Sequence, residues 1–195
     1  MPIGMKKIII GVSILVYSNV GSSQTKNDVI DYNNINIELL NSLVIKKAAY
    51  VRDSLNKTKA FYDETLSKVT KFQNDYLSTY DIMSHGNTLK IKNKSLNSLG
   101  DRLDFFNPKR KYISYMEILV CLPYMPYRTN LTYDYVSSRM INAYMSSPGH
   151  RYALITDGDS ETPLKISINF KTSLSPKSKK LYNTGVILVE STHKY

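Results

Sequence analysis

The chain has 195 residues, 42% hydrophobic and 22% charged, which suits one domain with a real core and lies outside the range of disordered chains. Its net charge is +10, but the basic residues are spread along the chain without an aromatic-interleaved recognition module, so nucleic acid is not an expected partner. The single cysteine, Cys121, excludes an intramolecular disulfide, and its neighbours Ile118, Leu119, Val120 and Leu122 predict a small apolar packing role.

The first 23 residues read as a secretory signal peptide. Lys6 and Lys7 form the charged start, Ile8 to Tyr17 the apolar run, and Gly21-Ser22-Ser23 the small residues before a cut ahead of Gln24. The apolar run is about half of the ~20 residues that a spanning helix needs, so no stable transmembrane anchor is expected. The mature chain is expected to be secreted, periplasmic or extracellular, with a charge of +8 once Lys6 and Lys7 are gone. Charge spread this widely predicts weak attraction to envelope lipid or polysaccharide.

Residues 24–34 are polar and read as a short leader. Leu40, Leu43, Val44, Ala48, Val51 and Leu55 keep the helical period and predict a helix from about Ile35 to Leu55. Val69, Phe72, Tyr76, Tyr80 and Met83 predict a second, from roughly Ala60 to Met83, with His85 and Gly86 directly after it. A polar connection follows over residues 86–112, where Leu99 to Phe106 suits a short helical turn. Tyr112 to Leu122 is apolar and suits a strand or a buried irregular segment. A third helix is expected from Leu131 to Met145, capped by Thr132 or Asn130.

Pro148 should stop that helix, because it lacks an N–H and disfavours helical geometry at Ser147. Gly149 then permits an abrupt turn, and His150 stands just beyond the helix end. Ala153 to Thr156 reads as a short strand, and Asp157-Gly158 as a turn. Leu164, Ile166, Ile168 and Phe170 alternate with Lys165, Ser167 and Asn169, the pattern of a half-buried strand. Residues 173–183 read as a lysine-rich loop, and Gly185 to Glu190 as a central strand. Helices first and strands last predict an α+β fold with an antiparallel sheet.

This order of elements, with its punctuation, resembles the CAP superfamily: the SCP-like domains of cysteine-rich secretory, antigen 5 and pathogenesis-related proteins, in their bacterial form. The resemblance covers residues 35–195. Leu39-Leu-Asn41 resembles the family's opening helix, and His85, preceded by Tyr80 and Met83, its first histidine. Asp101-Arg102-Leu103 and Met116-Glu117-Ile118 resemble the segments around its glutamate. Tyr144-Met-Ser-Ser-Pro-Gly-His-Arg151 resembles its Trp-x-x-Ser-Pro-Gly-His-Arg signature, and Thr184-Gly-Val-Ile187 its late strand. The chain departs from the pattern at Met116 and Ile118, where Gly and Asn are usual, at Tyr144 for Trp, and in a second cleft glutamate, since Asp134 is the only acid between Glu117 and His150.

The resemblance implies a three-layer α-β-α sandwich with a central antiparallel sheet, and a cleft where His85, Glu117 and His150 converge. Read without it, His85 is a surface residue at a helix end and His150 a turn residue. Two imidazoles and a carboxylate suit an open site for zinc or another divalent metal, and equally a general acid–base pair. Ser146 and Ser147 lie near His150, but no nucleophile elbow accompanies them. Asp101-Arg102 reads as an ion pair or a helix cap. Three functions follow: a non-catalytic module whose His/Glu cleft binds a small ligand, a lipid or a divalent metal; a metal-dependent hydrolase acting on peptide or envelope polymer; or a structural or adhesive protein with a decayed cleft. The missing second glutamate favours the first and the third.

Overall fold

The computed structural model describes residues 24–86, 96–108, 114–123, 125, 131–157 and 164–191. The signal-peptide reading, the lysines at 90–94, Asn130, Gly158 and His193 fall outside them. Asn36 opens the first helix, α1 (Ile37–Ser54), by accepting from Leu39 N at 2.9 Å. Leu40, Leu43, Val44 and Ala48 form its buried stripe. Asn56, at φ 52°, takes the left-handed conformation that lets the chain leave the helix.

The next segment differs from its sequence reading. Ala60–Tyr62 is a strand, β1, rather than the start of the second helix. Asp63 accepts from Thr65 N at 2.8 Å, capping a single 3-10 turn over Glu64–Leu66, so helix α2 begins only at Ser67 and runs to Tyr80. Asp81, left-handed at φ 56°, ends it. Helix α3 (Leu99–Phe106) carries a reciprocal capping box between Ser98 and Asp101. Strand β2 (Ser114–Leu122) follows. Thr132 caps helix α4 (Tyr133–Ser146) by accepting from Tyr135 N at 3.2 Å.

Pro148 does more than stop α4. It occupies the first turn of a further helix, α5 (Pro148–Ile155), where a missing N–H costs nothing. Ser147 is extended, at φ −95° and ψ 119°, as a residue before proline prefers, and forms the corner between the two helices. Residues 153–155, expected in a strand, are thus the end of α5; a short apolar run does not tell strand from helix. Gly149 sits in the helix with open space around it and uses no special backbone freedom.

Strands β3 (Leu164–Leu174) and β4 (Leu181–Ser191) are longer than the sequence indicates, and only residues 175–180 remain as the turn between them. The sheet order is β1-β3-β4-β2. The β3–β4 and β2–β4 pairs are antiparallel, while β1 joins β3 in parallel from Ala60 opposite Ile166 to Tyr62 opposite Ile168. The sheet is therefore mixed, with one parallel pair in place of the fully antiparallel sheet expected.

Alternation along β4 defines the layers. Ile187 and Val189 pack with Leu40, Val44, Met140 and Ile141 of α1 and α4. Val186 and Leu188 face the other way, onto Leu66, Val69 and Leu103. Helices thus cover both faces, giving α+β in three layers. Gly185 is required for close approach: a Cβ there would lie 2.5 Å from the Phe170 ring and 2.9 Å from Ile118. The α2 interface is partly polar, with Thr70 Oγ1 donating to Asn169 Oδ1 at 2.7 Å and the Asn74 side-chain amide donating to Thr184 Oγ1 at 3.1 Å. The polar residues 24–34 pack onto the domain through Ile30, which is buried in the main core and donates its N–H to Leu131 O at 2.8 Å.

Candidate functional site

Glu117 lies on β2 between Met116 and Ile118, on the sheet face that looks toward α2 and α3. Its side chain is 3% exposed. A buried carboxylate needs partners for both oxygens, and Glu117 has them. Oε1 accepts from Arg102 Nη2 at 2.6 Å, and Oε2 lies 3.0 Å from Nδ1 of His85. Arg102 comes from α3 with a fully buried side chain, and His85 from the segment just after α2, 59% exposed. Two sequence-separated elements therefore converge on one strand residue.

The protonation pattern at His85 follows from this geometry. With a guanidinium on Oε1, Glu117 acts as an acceptor, so the hydrogen of the His85 contact belongs to Nδ1. Neutral His85 then presents Nε2, with its lone pair, away from Glu117. Burial pulls the Arg102 guanidinium down from its ordinary value, and the negative charge of Glu117 opposes that pull. Among the described residues, Arg102 Nε has no acceptor, while Nη1 reaches Asn97 O at 3.4 Å.

His150 is placed by a different device. It occupies the first turn of α5, and its ring meets Tyr144 edge to face, centroids 5.8 Å apart at 85°. Tyr144 is itself fixed: its hydroxyl donates to Asn183 Oδ1 at 2.6 Å, deep in the core. Burial lowers the His150 pKa, and the charge of His85 lowers it further. Burial raises the Tyr144 pKa, and Glu117 adds to that rise. His85 and Glu117 touch, and His150 meets Tyr144; among the described residues no hydrogen bond links His150 to His85 or Glu117.

Sequence reasoning missed Arg102 as the partner of Glu117. It read Asp101-Arg102 as an ion pair or a helix cap: Asp101 is the cap, its carboxylate accepting from Ser98 N at 2.9 Å, while Arg102 pairs with Glu117. The available signal was an arginine beside Leu103 on a short amphipathic helix, since a buried arginine needs a carboxylate. Asp134, the one acid between Glu117 and His150, pairs with Lys47 at 2.8 Å. Among the described residues no three His, Cys, Asp or Glu side chains gather so as to hold a metal ion.

A concavity lies on another part of the surface. A cavity of about 510 Å³ opens between the end of α1, the end of α4 and α5, and none of His85, Glu117 or His150 lines it.

No family model matches the sequence, and no curated protein matches it. Solved structures do match by shape. An outer surface protein from Borrelia burgdorferi superposes with a TM-score of 0.59 at 18% identity, covering 81% of this chain and 97% of that one. An extracellular protein containing a SCP domain from Bacillus anthracis superposes with a TM-score of 0.51 at 15% identity, covering 80% of this chain and 43% of that longer one. The chain therefore has the SCP-type, CAP-like fold that its sequence resembles. Among the described residues, no helix is long and apolar enough to cross a membrane.

Proposed function

We propose that this is an extracellular or surface-displayed SCP-type module whose His85–Glu117–His150 cleft binds a small polar ligand without turning it over. The observation that carries the reading is the double engagement of Glu117 by Arg102 and His85. A carboxylate held at both oxygens is poorly placed to take a proton from water or to ligate a metal. The buried guanidinium at 2.6 Å further offsets the charge that a divalent cation would need. The donor set does not fit a resident divalent metal. What remains on offer is Nε2 of His85, an acceptor when neutral, beside the half-buried His150. The matching ligand carries hydroxyl or amide N–H donors. The extracellular placement rests on the signal-like first 23 residues and on the fold shared with proteins described as outer-surface and extracellular.

Two titrations test this, one followed by the histidine ring resonances and one by the thermal midpoint. Small hydroxyl- and amide-bearing compounds should perturb His85 and His150 together, and His85→Ala should abolish the effect. Zinc should leave the thermal midpoint unchanged; a rise that disappears in His85→Ala combined with His150→Ala would restore the metal reading. Turnover of a peptide or envelope polymer that is lost in Glu117→Gln would restore the hydrolase.

A further inference from the structure

The cavity beside α5 is a second site, and we infer that it takes an acidic sugar residue of a glycan. Its volume of about 510 Å³ falls within the range of about 300–1,000 Å³ common to small-ligand pockets. It is separate from the histidine cleft although the two share a helix. His150 and Arg151 are consecutive on α5, and one residue of helix turns the side chain by about 100°. His150 meets the Tyr144 ring, while Arg151 lines the cavity.

The lining defines the ligand chemistry. Tyr152 lines the cavity and is 54% exposed, a large aromatic ring available for contact. Lys57 and Arg151 bring two positive charges. Asp157 brings one negative charge, already set against buried Arg52 at 2.8 Å. Ser146 donates its hydroxyl to Asn142 O at 2.7 Å and keeps its own oxygen as an acceptor. An aromatic ring, hydrogen-bonding oxygens and a net positive wall match a pyranose ring: an apolar C–H face, a rim of hydroxyls, and a carboxylate or sulfate. Met145, Pro148 and Ile155 complete the lining and suit the C–H face of the sugar, whereas an alkyl chain would leave the charges of Lys57 and Arg151 without a complement.

The walls are tied together in advance. Arg52 Nη1 donates to Leu154 O at 2.8 Å and to Thr156 O at 3.0 Å, while its Nη2 donates to Thr58 O at 2.7 Å. Asp157 Oδ1 accepts from Thr58 N at 2.9 Å, and Oδ2 lies 3.6 Å from Lys57 Nζ. One buried guanidinium thus joins the end of α1, the segment with Lys57 and the end of α5. A pre-organised wall loses less entropy when a ligand arrives.

Calorimetric titration of the full domain with a tetrasaccharide of galacturonic acid, and with a neutral tetrasaccharide as control, tests the inference. The acidic sugar should bind in preference to the neutral one. Tyr152→Ala and Arg151→Ala, both at exposed positions, should each weaken it by about tenfold, and His85→Ala should leave it unchanged. Equal binding of the neutral sugar, no binding of either, or indifference to Tyr152→Ala would overturn the assignment. Binding to phosphatidylglycerol vesicles with the same dependence on Tyr152 and Arg151, in place of sugar binding, would overturn it in favour of a lipid headgroup. Loss of sugar binding in His85→Ala would place the sugar in the histidine cleft instead; the cleft proposal stands or falls separately, on the ring resonances.

Discussion

Arg102 donates to Glu117 over 2.6 Å with both side chains shut away from solvent. The pair links helix α3 to strand β2 and leaves the second oxygen of Glu117 to orient His85. Removing Arg102 strips the buried Glu117 carboxylate of its counter-charge and leaves it only the exposed His85. Arg102→Met should therefore cost about 3–5 kcal/mol of stability. Replacing both, with Glu117→Met added, should recover most of that loss. Denaturant melts of the two single variants and the double variant measure the difference; a single variant within about 1 kcal/mol of the parent would show that the pair is not desolvated as described.

Gly185 sits under the Phe170 ring at the centre of β4. Gly185→Ala forces a methyl group into the ring and into Ile118, and overpacking of this kind costs about 1–3 kcal/mol. Thermal unfolding should register the loss. Combining it with Phe170→Leu, which makes room, should lessen it.

Tyr144 stands where the family pattern has tryptophan, and its buried hydroxyl is anchored on Asn183. Tyr144→Phe keeps the ring against His150 but leaves Asn183 Oδ1 short of a donor, at a cost of about 1–3 kcal/mol. Because the ring contact survives, the His150 resonances should shift less in this variant than in Tyr144→Leu.

Burial and the charge of His85 hold the folded His150 pKa below its ordinary 6.5. Below that pH the unfolded chain binds more protons at this position than the folded one. Stability present above about pH 6.5 is therefore lost as pH falls through the folded value. His150→Asn should flatten this part of the profile. Unfolding free energies of parent and variant between about pH 7.5 and about pH 5 check the sign: the parent should lose more on the acid side.

Much of the fold was legible because periodicity reports burial. The stripe of α1, the alternation of β3 and the continuous run of β4 each translate into packing. Errors arose where one cue served two geometries. Pro148 ends one helix and begins the next, so the cue that stops α4 also started α5. Ala60–Tyr62 carried too short a pattern to separate strand from helix, and only pairing with β3 decides it. The family resemblance singled out His85, Glu117 and His150, and the structure brings His85 and Glu117 of these into contact. Arg102 was not legible, because the partner of a buried arginine lies across the tertiary fold, 15 residues away in sequence, whereas adjacent Asp101 looked sufficient.

The proton on the His85 ring is the most direct test of the cleft. Nitrogen-15 NMR of the imidazole, at a pH where the ring is neutral, should find Nδ1 protonated and Nε2 bare, with the preference lost in Glu117→Leu. A parent protein with Nε2 protonated and Nδ1 bare would contradict the orienting role of Glu117, and with it the donor-bearing ligand proposed for the site.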